Sequence, residues 1–118
     1  MARVLVLDDN ADIGRLLSRH LGEGHVVTVL TSGHEAVQSL RAGARFDTIF
    51  SDVKMPRMGG LDFHAQVSSI DTEQARRIVF LTGGDASDLP NRTVAKPFQL
   101  AELRAIIEEL GASSIAGA

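Results

Sequence analysis

Five short apolar runs, each broken off by polar or turn residues, constrain this chain more than any other feature. Val4-Leu5-Val6-Leu7 stops at Asp8-Asp9-Asn10, and Val26-Val27-Thr28-Val29-Leu30 follows a Gly-Glu-Gly break at 22–24. Thr48-Ile49-Phe50 stops at Ser51-Asp52, and Ile78-Val79-Phe80-Leu81 stops at Thr82-Gly83-Gly84. The weakest run, Thr93-Val94-Ala95, stops at Lys96-Pro97. Apolar runs of this length without polar alternation read as strands buried on both faces, and so as a parallel sheet between helices.

The stretches between the runs supply those helices. Ile13, Leu16, Leu17 and Leu21 form one stripe at helical spacing. Ser32 and Glu35 have the spacing of a capping box before Ala36, Val37 and Leu40. Leu61, Phe63, Ala65 and Val67 alternate like a strand, but Gly59-Gly60 and the surrounding β-α rhythm favour a helix over 60–70. Leu100, Leu103, Ile106, Ile107 and Leu110 make the clearest stripe, which Gly111 is expected to close. The fold class is therefore α/β, an open doubly wound parallel sheet. The domain is expected over residues 1–111, with 112–118 a flexible tail or the start of a linker.

Composition removes several kinds of function. There is no cysteine, which excludes a disulfide scaffold, a thiolate metal site and cysteine catalysis. Twelve basic against fifteen acidic residues give a net charge of −3, which offers no basic footprint for nucleic acid. Arg76-Arg77 is too short to be such a footprint and is expected to be solvated at the start of the fourth strand. No stretch reaches the ~18 apolar residues of a membrane span, and the start is too short for a signal peptide. A cytoplasmic domain touching neither nucleic acid nor membrane directly is the expectation.

In a sheet of this type function collects at the carboxyl ends of the strands. Those ends carry Asp8 and Asp9, Asp52, Thr82 and Lys96. Carboxylates crowded into one crevice repel one another, so a proton or a cation must neutralise part of their charge. An all-oxygen set without His or Cys suits a hard divalent ion, Mg²⁺ in particular. Lys96 adds a point charge for an anion, and Thr82 a hydroxyl. Metal, ammonium and hydroxyl together suit a phosphoryl group, and Asp52 between them is placed to receive it.

Asp8-Asp9, Asp52-Val53-Lys54-Met55-Pro56-Arg57-Met58-Gly59-Gly60, Leu81-Thr82-Gly83-Gly84 and Lys96-Pro97-Phe98 resemble the receiver domain of two-component response regulators. The resemblance covers roughly residues 3–110. It implies a flavodoxin-like five-stranded sheet in the order 2-1-3-4-5. It implies Asp52 as phospho-acceptor, and Mg²⁺ held by Asp9, Asp52 and the backbone carbonyl of Lys54, with Asp8 acting mainly through a water. Thr82 would donate to a phosphoryl oxygen and Lys96 would pair with the phosphoryl group. The Lys96-Pro97 peptide would be cis, and Gly83 would leave room for the phosphoryl group. The donor would be a phosphohistidine on a histidine kinase or a histidine phosphotransfer domain. The residues before the lysine look more like those of receivers fused to hybrid sensor histidine kinases than of transcription-factor receivers. The module would be either a stand-alone regulator or part of a longer protein.

The pattern departs from the family between Thr82 and Lys96. A crossover between parallel strands takes about a dozen residues or more, and residues 83–92 include Gly83-Gly84 and Pro90-Asn91 as turn formers. The fourth helix is therefore expected to be missing or reduced to about one turn. Thr93 stands where the family commonly has an aromatic switch residue. Either apolar sheet beside Leu89 is left bare for a partner or a second copy docking at 83–92, or Leu89 folds down to cover it. Two other functions compete with phosphoryl acceptance. One is a docking module that no longer uses phosphate. The other is a Mg²⁺-dependent aspartyl-phosphate phosphatase, which wants an acid where Lys54 stands. The four histidines are expected at the surface, Phe46, Phe50, Phe63 and Phe80 in the core, and Phe98 anchoring the last helix.

Overall fold

The computed structural model describes residues 1–84 and 88–116, with side chains to Gly111. The strands are β1 (Arg3–Leu7), β2 (Val26–Leu30), β3 (Thr48–Asp52), β4 (Ile78–Thr82) and β5 (Thr93–Ala95). The helices are α1 (Ala11–Leu21), α2 (Gly33–Arg41), α3 (Gly60–Ile70), α4 (Thr72–Arg76) and α5 (Leu100–Ala116). All strand pairs are parallel and the sheet order is β2-β1-β3-β4-β5, the flavodoxin-like order the resemblance implies.

Two separate cores explain why the strands read as unbroken apolar runs. Val4 and Val6 point to one face with Leu17, Leu21, Phe50, Leu81, Leu103 and Ile107. Leu5 and Leu7 point to the other, with Val37, Leu40, Ile49, Phe63, Val67 and Phe80. Each strand alternates between faces, but helices cover both, so neither face needs polar residues. The four Phe residues expected in the core are buried, and Phe98 packs against the first core.

Several local expectations change under tertiary packing. Leu16 leaves the buried side of α1 and is 45% exposed, while Gly14 is buried instead, its Cα close against Val29. Ser32 is the N-cap of α2, but its side chain makes no capping bond. Gly111 does not stop the last helix, which continues to Ala116. The positive-φ glycines are Gly24 and Gly43, and no proline follows Gly111 to break the helical ladder. Residues 117–118 lie outside the described part.

Arg77 is buried rather than solvated. Its Nη1 donates to the carbonyls of Asp47 (3.1 Å) and Leu110 (3.2 Å), and Nη2 pairs with Glu73 at 3.1 Å. It ends the short α4, a turn that no periodicity announced. Asp71 caps α4 by accepting from the Glu73 and Gln74 amides, and Gln74 bonds both backbone groups of Phe46.

Between β4 and β5 there is no helix among the described residues 83–84 and 88–92. Residues 85–87, the middle of the segment expected to hold at most one turn, lie outside the described part. Leu89 is half-buried against the second core. Asn91 ties the segment down, its Nδ2 donating to the carbonyls of Ala75 (2.6 Å) and Ile78 (2.9 Å). This is the arrangement expected if the segment folds over the sheet.

Candidate functional site

The carboxyl ends of β1, β3, β4 and β5 meet at one edge of the sheet. Asp8 follows the last residue of β1 and is 1% exposed, whereas Asp9 beside it is exposed. Asp52 closes β3. Each of the three offers a carboxylate oxygen, and these oxygens lie within 4.8 Å of one another. Lys96 reaches the same place because its amide donates to the Thr82 carbonyl at 2.8 Å, continuing the β4–β5 ladder. Its Nζ lies 3.5 Å from Asp8 Oδ2 and 3.4 Å from Asp52 Oδ1. The Lys96-Pro97 peptide is cis, as the resemblance implied.

Local chain geometry holds the acids in place. The Asn10 amide donates to Asp8 Oδ1 at 2.9 Å, and the Asn10 side chain caps α1 by accepting from the Asp12 amide at 3.0 Å. The first helix and the first acid are therefore positioned by the same residue. The Val53 amide donates to Asp52 Oδ1 at 2.8 Å. After Asp52 the chain turns back over the strand end, with Gly60 N donating to the Val53 carbonyl at 2.8 Å. A Cβ on Gly60 would fall 2.8 Å from the Asp52 carbonyl oxygen, so this return needs a glycine.

Asp8 Oδ2 is buried and has no hydrogen-bond partner. Burial pushes the Asp8 carboxyl above its ordinary pKa, and the neighbouring Asp52 charge adds to that. The Asn10 amide and Lys96 pull it down without outweighing burial. A buried carboxylate oxygen that makes no hydrogen bond, with the Lys96 ammonium 3.5 Å away and other carboxylates beside it, fits a hard cation at this place. The residues present therefore suit Mg²⁺: Asp8, Asp9 and Asp52 supply anionic oxygen and no softer ligand competes.

Thr82 is buried, 8% exposed, at the end of β4, and its Oγ1 accepts from the Gly84 amide at 3.1 Å. That bond occupies a lone pair and leaves the hydroxyl proton available to a ligand. Among the described residues nothing lies within 4 Å of a Cβ built on Gly83, which leaves open space beside Thr82. Lys54, two residues beyond Asp52, is exposed.

The sequence did not show the shape of the loop after Asp52. Met58 N donates to the Pro56 carbonyl at 2.7 Å around Arg57, whose φ is +68°. Gly59-Gly60 points only to a helix that follows, and nothing in the sequence points to a left-handed residue at 57. His64, expected at the surface, is half-buried with its ring centroid 6.1 Å from that of Phe80.

Comparison with known proteins agrees with this geometry. Residues 4–108 match the response regulator receiver domain. A response regulator receiver protein of Anaeromyxobacter is 34% identical over 80 residues, covering 67% of this chain and 33% of that protein. The chain thus spans about a third of that relative's length. The response regulator TrrA of Thermotoga maritima, solved in complex with Mg²⁺ and BeF, is 29% identical with a TM-score of 0.80. The match covers 93% of this chain and 99% of that one. The receiver domain of sensor histidine kinase PA1611 from Pseudomonas aeruginosa, solved with a magnesium ion in its active-site cleft, is 26% identical with a TM-score of 0.75. That match covers 93% of this chain and 98% of the other. Among the described residues no helix is long and apolar enough to cross a membrane. An acid cluster and a lysine at the strand ends, on a sheet of this order, agree with the sequence match over nearly the whole chain: this chain belongs to the response regulator receiver domain family, a signalling rather than a catalytic module.

Proposed function

We propose that this domain accepts a phosphoryl group on Asp52 in a His-to-Asp phosphorelay and changes conformation in response. The observation that carries the reading is the meeting of Asp8, Asp9 and Asp52 with Lys96 at one sheet edge. An Asp52 carboxylate oxygen attacks the phosphorus of a phosphohistidine. The phosphorus–nitrogen bond breaks, an acyl phosphate forms, and the imidazole leaves with the electron pair. Mg²⁺, when bound, neutralises charge on the acids and the transferring group. Asp9, Asp52 and the Lys54 carbonyl would hold it, with Asp8 acting through a water.

The protein's own groups do the rest. Lys96 stands between Asp8 and Asp52 and pairs with the incoming anion. Thr82 donates its hydroxyl proton to a phosphoryl oxygen, in the open space beside Gly83. The donor is a histidine kinase or a histidine phosphotransfer domain. Residues 1–111 form the receiver body, with 112–118 as tail or connector, and fusion to a hybrid kinase is one setting for it. A partner or second copy at residues 83–92 would meet a segment whose Leu89 already packs inward.

Incubation with Mg²⁺ and a small phosphodonor tests this by intact mass. The expected result is a gain of one phosphoryl group that disappears in Asp52→Asn. No Asp52-dependent gain, and no shift of the Thr82 and Lys96 amides with beryllofluoride, would leave the phosphate-independent docking module as the better reading.

A further inference from the structure

We propose that the left-handed turn at Arg57 and the contact between Met58 and Gly33 form a coupling device. It passes the state of Asp52 to the start of α2, and it rests on the reading of Asp52 as phosphoryl acceptor. Three observations carry it. The loop after Asp52 is held against the end of β3, where Gly60 packs on the Asp52 carbonyl without room for a methyl group. Within the loop, the bond from Met58 N to the Pro56 carbonyl closes a three-residue turn around Arg57 at φ +68°. A turn of this hand centred on a non-glycine residue is rare and strained, and such conformations persist only where the surroundings over-determine them. Finally, the turn drives Met58 onto α2, where a Cβ on Gly33 would fall 2.9 Å from Met58 Sδ and 3.1 Å from its Cγ.

The same segments line a cavity of about 460 Å³, bounded by Ser32–Glu35 on one side and Pro56–Met58 on the other. The loop thus has room to move on one side and a tight contact on the other. Such packed contacts switch between discrete arrangements rather than deform continuously. The opposite side of the site has fewer parts for a readout. Thr93 provides no aromatic side chain, and no helix joins β4 to β5 among the described residues.

Coupling between two sites is reciprocal, so changing the contact must change what Asp52 binds. The test follows Met methyl and backbone amide NMR signals during titration with Mg²⁺ and beryllofluoride. Wild type is compared with Gly33→Ala, which crowds Met58, and Arg57→Gly, which removes the left-handed penalty and keeps the fold. The expected result is movement of the Met58 methyl and the Gly33–Glu35 amides exceeding that of Val94. Each variant should change apparent affinity about fivefold or more. A response at Asp52, Thr82 and Lys96 with Met58 and α2 unmoved, and variant affinities within about twofold of wild type, would overturn the coupling alone. Silence at Asp52 itself would overturn the phosphoryl-acceptor reading, and the coupling with it.

Discussion

Lys96 Nζ lies 3.4 Å from Asp52 Oδ1, the oxygen that also accepts the Val53 amide. The lysine is thereby held over the acid that ends the central strand, with a second acid, Asp8, 3.5 Å away. Replacing it removes the one cation paired with these acids among the described residues. Lys96→Ala should weaken beryllofluoride binding at least tenfold, about 1.4 kcal/mol, as read by NMR titration. Mg²⁺ affinity should rise in the same variant, because the ion no longer competes with an ammonium group. A drop in both affinities would show that Lys96 acts by shaping the site rather than by its charge.

Asp8 gives a pH signature. Burial raises its pKa in the folded state above the unfolded value. Stability from that shift is complete below the unfolded pKa, near about 3.9, and is lost as pH rises through the folded value. At neutral pH ionised Asp8 therefore opposes folding of the metal-free domain. Thermal unfolding should find Asp8→Asn more stable than wild type at pH 7 without Mg²⁺, by roughly 4–8 °C for each kcal/mol relieved. Added Mg²⁺ should raise the wild-type Tm more than that of Asp8→Asn, since binding to the folded state alone stabilises it.

Two glycines near the site should respond in opposite ways. A methyl at Gly60 meets the Asp52 carbonyl at 2.8 Å, the Val53 Cα at 3.0 Å and Phe80 at 3.2 Å. Two of these are backbone atoms that cannot step aside. Gly60→Ala should cost about 1–3 kcal/mol in urea unfolding. Among the described residues a methyl at Gly84 meets only Thr82 Oγ1, at 4.0 Å, so Gly84→Ala should leave stability within about 0.5 kcal/mol.

The short β4–β5 segment is held by packing and by one amide. Asn91→Ala strips a hydrogen bond each from the carbonyls of Ala75 and Ile78 and should cost about 1–3 kcal/mol. Leu89→Ala should also destabilise, by less than the ~2–5 kcal/mol of a fully buried leucine, since Leu89 is only half-buried. Equal stability of Leu89→Ala and wild type would mean that this side chain does not cover the sheet in solution.

Much of this protein was written locally in its sequence. Four of the five apolar runs end at a candidate site residue, because a strand buried on both faces has to be apolar until it emerges. Strand limits, the parallel sheet and the set Asp8, Asp9, Asp52, Thr82 and Lys96 were all legible for that reason. That no full helix stands between β4 and β5 among the described residues was legible from chain length alone, since ten residues cannot both turn and form one.

Tertiary structure decided the rest. Periodicity cannot tell that Leu16 faces out while Gly14 takes the buried place, because that depends on how close Val29 comes to α1. Gly111 looked like a helix stop, yet the helix runs on, because a glycine stop uses a positive φ that Gly111 does not adopt. Arg77 looked solvated until its guanidinium met the carbonyls of Asp47 and Leu110, groups far away in sequence. The Met58–Gly33 contact is of the same kind. A sequence determines what each segment needs to bury or expose; which distant atom meets that need is settled only when the layers close on one another.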